Sequence, residues 1–250
     1  SMAVILKNWD YYRDWCFRFN NTLSTKSTLN LESIPYLFES VKFLHETLGM
    51  NEINMNFVME DMGVTQDHLD LLDKELERVK DYVIEHRHEL YLGLFNKDMC
   101  LGNTMDSQDN KEGRCGSGSM PALGINGKIY PCFRYLPHTV CEGRKDFSVG
   151  SVDEGLNAKE NFLAVRSMTR DLISDEECRN CPIETMCPYC IGGCYAEFGE
   201  FKRTKYICNI SKLQDKWGKM YWREYDKLEG THTEGAYFPT YEEWVALKKD

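Results

Sequence analysis

CRNCPIETMCPYCIGGC, residues 178–194, packs five cysteines into one short stretch, with two prolines and two glycines among them. Proline removes a backbone donor and glycine loosens the chain, so helix and strand have little hold here. Such a segment is organised by whatever its thiols bind. Outward from it, the spacing is Cys178-x2-Cys181-x5-Cys187-x2-Cys190-x3-Cys194, then thirteen residues to Cys208. Upstream, Cys115 is followed by eleven residues, Gly127, four residues and Cys132, and Cys141 stands alone between the groups. Only Cys16 and Cys100 lie in the first hundred residues.

The opening SMAVILKNWD is too short and too soon polar for a secretory signal. Its Ser-Met start reads as a cloning remnant, so the native N-terminus is expected upstream. Without a signal, the cysteines read as metal ligands rather than a disulfide framework. None of the six histidines falls between Cys178 and Cys208. All-thiolate sites suit structural zinc or iron–sulfur clusters. A structural zinc usually takes two tidy Cys-x2–4-Cys knuckles. Here at least eight candidate thiolates stand at staggered spacings, enough for two four-thiolate sites. Gly192 and Gly193 would let the backbone pass close to a bulky cofactor and donate N–H bonds to its sulfurs. Spacing alone ranks iron–sulfur first, zinc second and disulfides or a mixture third.

The 250 residues suffice for one large or two small domains. Hydrophobic content of 42% with 28% charged residues reads as an ordinary globular chain. A net charge of −10 without a long basic run argues against a broad nucleic-acid surface. No apolar run approaches the ~20 residues that span a membrane.

The first hundred residues alternate strand and helix signals. WCFRFN, residues 15–20, reads as a short aromatic strand with Cys16 as a small buried hydrophobe. In STLNLESIPYLFESVKFLHETLG, residues 27–49, Ile34, Leu37, Val41, Leu44 and Leu48 recur at helical spacing and Gly49 suits a C-cap. EINMNFVM, residues 52–59, is a second strand with Asn54 and Asn56 on one face. The next helix is capped by Thr65 and buries Leu69, Leu72, Leu76, Val79 and Val83, and LYLGLF, residues 90–95, is a third strand. This order predicts parallel pairing with helical crossovers. Asp73, Glu75 and Glu77 read as a solvated face. His86 and His88, at i and i+2, fall on different sides of a helix and read as a solvated helix end.

The polar, Gly-rich run at 103–119 is a loop. PALGINGKIYPCFRY, residues 121–135, reads as a hairpin turning at Asn126-Gly127, and FSVGSVDEG, residues 147–155, adds a short strand. Residues 207–230 form a last long helix with Leu213, Trp217, Met220 and Tyr221 inward. Its aromatics Trp217, Tyr221, Trp222 and Tyr225 read as packing against the cysteine loop, ahead of an electron relay or peptide surface. TYEEWVALKK, residues 240–249, reads as a short closing helix.

Together, Cys115-Gly-Ser-Gly, GINGKIYPC, SVGSVDEG, Cys-x2-Cys-x5-Cys, GGC and a late cysteine resemble the SPASM domain of radical S-adenosylmethionine (SAM) peptide maturases. The resemblance covers about residues 114–221. NLESIPYLFESVKFLHETLG and NEINMNFVMED look like later β/α units of the radical SAM barrel. The resemblance implies an α/β plus small α+β fold: about half of a partial β/α barrel at 1–102, a cysteine-rich SPASM domain with a β-hairpin and C-terminal helix at 103–230, and a tail at 231–250. It implies two 4Fe–4S clusters. Cys178, Cys181, Cys187 and Cys208 would hold the distal one; Cys115 and Cys132 would hold the proximal one with Cys190. The family's x3 spacing is here x2 to Cys190 and x6 to Cys194, so Cys194 competes, and Cys141 or an open position could complete the set. Phe133 stands where sulfatase maturases carry an acidic residue, which argues against sulfatase maturation.

The Cys-x3-Cys-x2-Cys signature that holds the SAM-cleaving cluster occurs nowhere in this sequence. The chain is therefore expected to be the C-terminal part of a radical SAM enzyme, inactive alone, with SAM bound only through a missing N-terminal part. The implied role is electron transfer and substrate binding in modification of a ribosomal peptide or protein, one that contains cysteine. The implied partners are that N-terminal half, the peptide substrate and a flavodoxin- or ferredoxin-like donor, with no nucleic acid or membrane, in the cytoplasm. Exposed sheet edges would favour self-association. The alternative is a non-catalytic peptide-binding module stabilised by zinc; zinc could also replace iron in aerobic preparations.

Overall fold

The structure, a computed structural model, describes residues 2–97, 100, 115, 117–140, 143–184, 187–231 and 241–247. Cys141 lies outside the described residues, as does most of the 103–119 loop. The chain divides into two compact units: one from Ser1–Val58, Met62–Asn103 and Asn209–Asp250, the other from Met59–Asp61 and Thr104–Cys208.

The first unit opens with helices α1 (Met2–Lys7) and α2 (Trp9–Arg18). Residues 15–18 of WCFRFN thus end a helix, with Phe19 and Asn20 in the turn after it, and form no strand. Trp9, Tyr12 and Cys16 share one helical face, and Trp9 and Cys16 are buried, while Trp15, Phe17 and Phe19 are exposed. The aromatic run imitates strand alternation, but its buried members follow the helical period. The first strand, β1, is instead the polar Ser24–Leu29, part of which was read as helix. Its order comes from parallel pairing with β2 (Glu52–Phe57), in register Thr25 to Ile53 and Leu29 to Phe57. β2 also pairs in parallel with β3 (Tyr91–Leu92). The β2 face carrying Ile53 and Met55 is buried, and Asn54 and Asn56 lie on the more open face.

Between β1 and β2 the helical spacing holds, but in three segments. A 3-10 turn (Leu31–Tyr36) containing Pro35 leads into α3 (Leu37–Lys42), which runs into a π-helical turn (Phe43–Thr47). Asn30 and Ser33 cap the start reciprocally. Ile34, Leu37, Val41, Leu44 and Leu48 are all buried. Helix α4 (Gln66–Glu85) starts at Thr65 and buries Leu72, Leu76, Val79 and Val83, with Leu69 partly buried. Glu75 departs from the expected solvated face: it is 4% exposed, accepts from the Phe38 amide at 3.0 Å and pairs with Arg78 at 2.5 Å. Asp73 accepts from Trp217 Nε1 at 2.7 Å, while Glu77 is exposed as expected.

Ahead of the last long helix, the second unit carries a three-stranded antiparallel sheet: β4 (Ala122–Leu123), β5 (Lys128–Tyr130) and β6 (Gly150–Ser151). Gly127 takes φ +75°, the left-handed conformation that a tight hairpin turn requires, and Asn126 bonds the Lys128 amide and Tyr130 hydroxyl. Short helices α5 (Lys159–Arg166), α6 (Arg170–Ile173), α7 (Glu176–Arg179) and α8 (Ile191–Phe198) follow. One buried cluster unites Tyr130, Cys132, Tyr135, Phe147, Val165 and Tyr195.

Helix α9 (Cys208–Glu229) starts on the last residue of the second unit, and its remaining residues belong to the first. Ile210, Trp217 and Tyr221 join the first unit's core, where Tyr221 stacks on Phe95 at 5.5 Å. These aromatics, with Trp222 and Tyr225, pack on the strand–helix core of the first unit. Met220 is exposed, not inward, because it lies about 100° from Tyr221 on the helix. A short helix α10 spans Tyr241–Leu247. Among the described residues, the strands form two three-stranded sheets and no closed barrel. No described helix is long and apolar enough to cross a membrane.

Candidate metal centre

The ten described cysteines are all free thiols. Cys16 and Cys100 are buried in the first unit; the other eight belong to the second. These eight divide into two neighbourhoods.

The first is built on α7. Asp175 caps that helix by accepting from the Cys178 amide at 2.9 Å. The Lys205 ammonium, 2.8 Å away, and this amide hold the Asp175 carboxyl down at about 2. A tight turn follows: the Cys181 amide donates to the Cys178 carbonyl, and the Cys187 amide to the Ile183 carbonyl at 2.7 Å. Ile183 is buried against Cys181 and Cys187. Arg203, 5% exposed, lies beside Cys187 and Cys178, donating to the Cys187 carbonyl and to Ser174 Oγ. The Cys208 amide donates to the Lys205 carbonyl at 3.1 Å, so the lysine that braces Asp175 also anchors the start of α9. Burial, then Asp175, pushes the Cys178 thiol up to about 11. Such a thiol is a poor nucleophile at neutral pH; a coordinated cation would ionise it.

The second neighbourhood surrounds Tyr135. Cys190 is the N-cap of α8 and accepts the Gly193 amide on its Sγ at 3.3 Å. Cys194 follows one turn later, its amide bonded to the Cys190 carbonyl at 2.9 Å. Cys132, after β5, receives the Ser117 hydroxyl at 3.4 Å. Cys115 packs with Cys194 beside Ile173 and Ile191. The Cys190 thiol is raised by burial and also feels Cys115 and Cys132. Cys132, Cys115, Cys190 and Cys194 all act on the Tyr135 hydroxyl, whose pKa rises chiefly through burial and then through these thiols.

Tyr135 is 2% exposed, and its hydroxyl has no hydrogen-bond partner. A buried O–H without an acceptor is costly. Here it sits among four sulfurs, the acceptor type that an iron–sulfur site would multiply. The donor set therefore fits a four-thiolate cofactor. Gly192 makes the approach possible: a Cβ there would come within 2.6 Å of Arg134 Cβ and 3.2 Å of the Tyr135 ring.

The structure thus separates Cys178, Cys181 and Cys187 from Cys115, Cys132, Cys190 and Cys194. Cys190 and Cys194 both lie in the neighbourhood of Tyr135. Sequence reasoning missed Tyr135, Arg203, Ser117 and Asp175; only Asp175, three residues before Cys178, carried a local capping signal. Among the described residues, one set of three His, Cys, Asp or Glu side chains brings its ligand atoms within 4.8 Å of one another: His45, His86 and Glu89, in the first unit. No protein-family model and no curated protein matches this chain.

Proposed function

We propose that the second unit is a SPASM-like domain holding two 4Fe–4S clusters, in a radical SAM enzyme that modifies a peptide or protein. The observation that carries this reading is the buried, unpartnered Tyr135 hydroxyl among Cys115, Cys132, Cys190 and Cys194. These four would ligate one cluster; Cys178, Cys181, Cys187 and Cys208 would ligate the other. Zinc is the weaker reading: a structural zinc usually takes two tidy Cys-x2–4-Cys knuckles, whereas these eight thiols stand at staggered spacings.

Bound there, the clusters would supply one-electron transfer. The residues of the chain set the conditions for it. The Gly193 N–H donates to the Cys190 sulfur, and the unpartnered Tyr135 O–H would be available to a cluster sulfur. The Arg203 charge offsets the thiolates of Cys178 and Cys187. Tyr130, Phe147, Val165 and Tyr195 exclude water on the Cys132 side. Such features set cluster potential through hydrogen bonding, charge and solvent access. The half-barrel reading of the first unit, SAM cleavage by an N-terminal part, a flavodoxin- or ferredoxin-like donor, self-association and a cytoplasmic setting belong to the same proposal.

The test is anaerobic purification or reconstitution with iron and sulfide analysis. About eight irons and eight sulfides per chain, with broad absorbance near ~400 nm, are expected. Protein that stays colourless after reconstitution and instead binds about two zinc ions would establish the zinc-stabilised module.

A further inference from the structure

Among the described residues, the one tight His/carboxylate set lies on elements of the first unit, upstream of the second unit's cysteines in sequence. His45 sits in the π-helical turn Phe43–Thr47 that ends the α3 segment. His86 is the C-cap of α4, and Glu89 follows in the turn after it. The two histidine rings stand 4.9 Å apart at 72°. One ligand atom from each of His45, His86 and Glu89 lies within 4.8 Å of the other two. Read alone, His86 and His88 looked like a pair pointing apart; the partner of His86 is His45, forty-one residues upstream.

Two features make this more than a chance cluster. The first is the π turn, an uncommon local geometry that recurs at functional sites. The second is a bonded relay behind His45. Its Nδ1 lies 2.7 Å from the hydroxyl of Tyr82, a buried residue. That hydroxyl donates to Glu46 Oε1 at 3.3 Å. With Tyr82 donating onward, His45 Nδ1 carries the proton and Nε2 keeps its lone pair. A carboxylate acting through a partner to fix the tautomer is how metal-binding histidines are oriented. On the other side, Glu89 Oε1 is hydrogen-bonded to His86 Nδ1 at 2.5 Å, a bond whose proton an ion held by both groups would displace to solvent, and the Glu89 amide is tied to the His86 carbonyl at 3.0 Å. The group runs from buried Tyr82 to the Glu89 side chain at 64% exposure, so an ion could enter from solvent and keep a water.

We propose that His45, His86 and Glu89 bind a zinc ion, with water in the fourth position and Tyr82 and Glu46 orienting His45. Two imidazoles and one carboxylate suit zinc among divalent ions, and three protein ligands leave the open position of a reactive or exchangeable site. This site is independent of the cysteines and of the iron–sulfur reading.

Crystals of the full chain soaked in zinc chloride, with anomalous data on both sides of the zinc edge, would test it directly. An anomalous peak bounded by His45, His86 and Glu89 is expected, whatever the cysteines hold. Isothermal titration with zinc should show one equivalent lost in His86→Ala and in Glu89→Gln, and retained in His88→Ala. Tyr82→Phe should weaken that equivalent by about 10–100-fold. Circular dichroism on each variant confirms the fold, and Glu89→Gln, at an exposed position, keeps the test intact if His86→Ala unfolds. No zinc peak at these residues, or the same zinc count in wild type and Glu89→Gln, would overturn the proposal.

Discussion

Asp215 and Lys219 stand one turn apart on α9, Nζ to Oδ2 2.8 Å, with side chains 4% and 1% exposed. Asp215 Oδ1 has no hydrogen-bond partner. Burial pushes the Asp215 carboxyl up from 3.8 to about 6, although Lys219 pulls it down. A rise of about two units, at about 1.36 kcal/mol each, is a penalty of about 3 kcal/mol at neutral pH. Because the folded pKa lies above the unfolded one, the stabilising contribution is fully present below about pH 4 and lost as pH rises through about 6. Replacing both residues, Asp215→Leu with Lys219→Met, removes the buried charges together. The double variant should be as stable as the parent or more so by about 1–4 kcal/mol at pH 7. Its advantage should narrow by about 2 kcal/mol on acidification to pH 4, as the parent regains what ionisation removed. Lys219→Met alone strands the carboxylate and should lose about 3–5 kcal/mol at pH 7, regaining part of it in acid. Urea titrations followed by far-UV circular dichroism at several pH values between 4 and 7 measure all three. A double variant as unstable as the single one, or an advantage that does not change with pH, would refute the account of Asp215 as a raised, desolvated carboxyl.

Three further outcomes follow from the same contacts. Gly192→Ala puts a methyl against Arg134 Cβ and the Tyr135 ring, so it should lower stability by about 1–3 kcal/mol and reduce reconstituted iron more than the exposed Glu200→Ala does. Tyr135→Phe removes the hydroxyl among the four thiols; iron content should stay near the parent's while the potential of one cluster falls in redox titration followed by electron paramagnetic resonance, and an unchanged potential would remove Tyr135 from the site. In metal-free protein, the His45 ring should titrate below the usual 6.5, owing to burial first and the neighbouring His86 second, and a ring that titrates at or above 6.5 by NMR would contradict this packing.

Much of the architecture was legible in local periodicity. The buried stripe of α4, the run from Ile34 to Leu48 and the Asn126-Gly127 turn need only neighbours a few residues away, and the structure places them as the spacing indicates. Cys190 and Cys194 were legible as thiols but not as the N-cap and first turn of one helix, because nothing in a Gly-rich stretch announces a helix. α8 forms where its N-cap sulfur receives the Gly193 amide and Gly192 admits the Tyr135 ring.

Residue types and spacings by themselves determined that this chain pairs parallel strands with amphipathic helices, follows them with a hairpin, and concentrates thiols in its second half, with no histidine between Cys178 and Cys208. Those properties belong to short windows of sequence. Tertiary structure alone decided that polar Ser24–Leu29 is a strand, since its order comes from pairing with residues 52–57. It decided that Glu75 is buried, since its partner is the amide of Phe38. It also decided that His45 meets His86 and that Tyr135 lies among four cysteines from three separate segments. Each joins residues dozens of positions apart, and such contacts leave no periodic trace because the chain between them is free to vary.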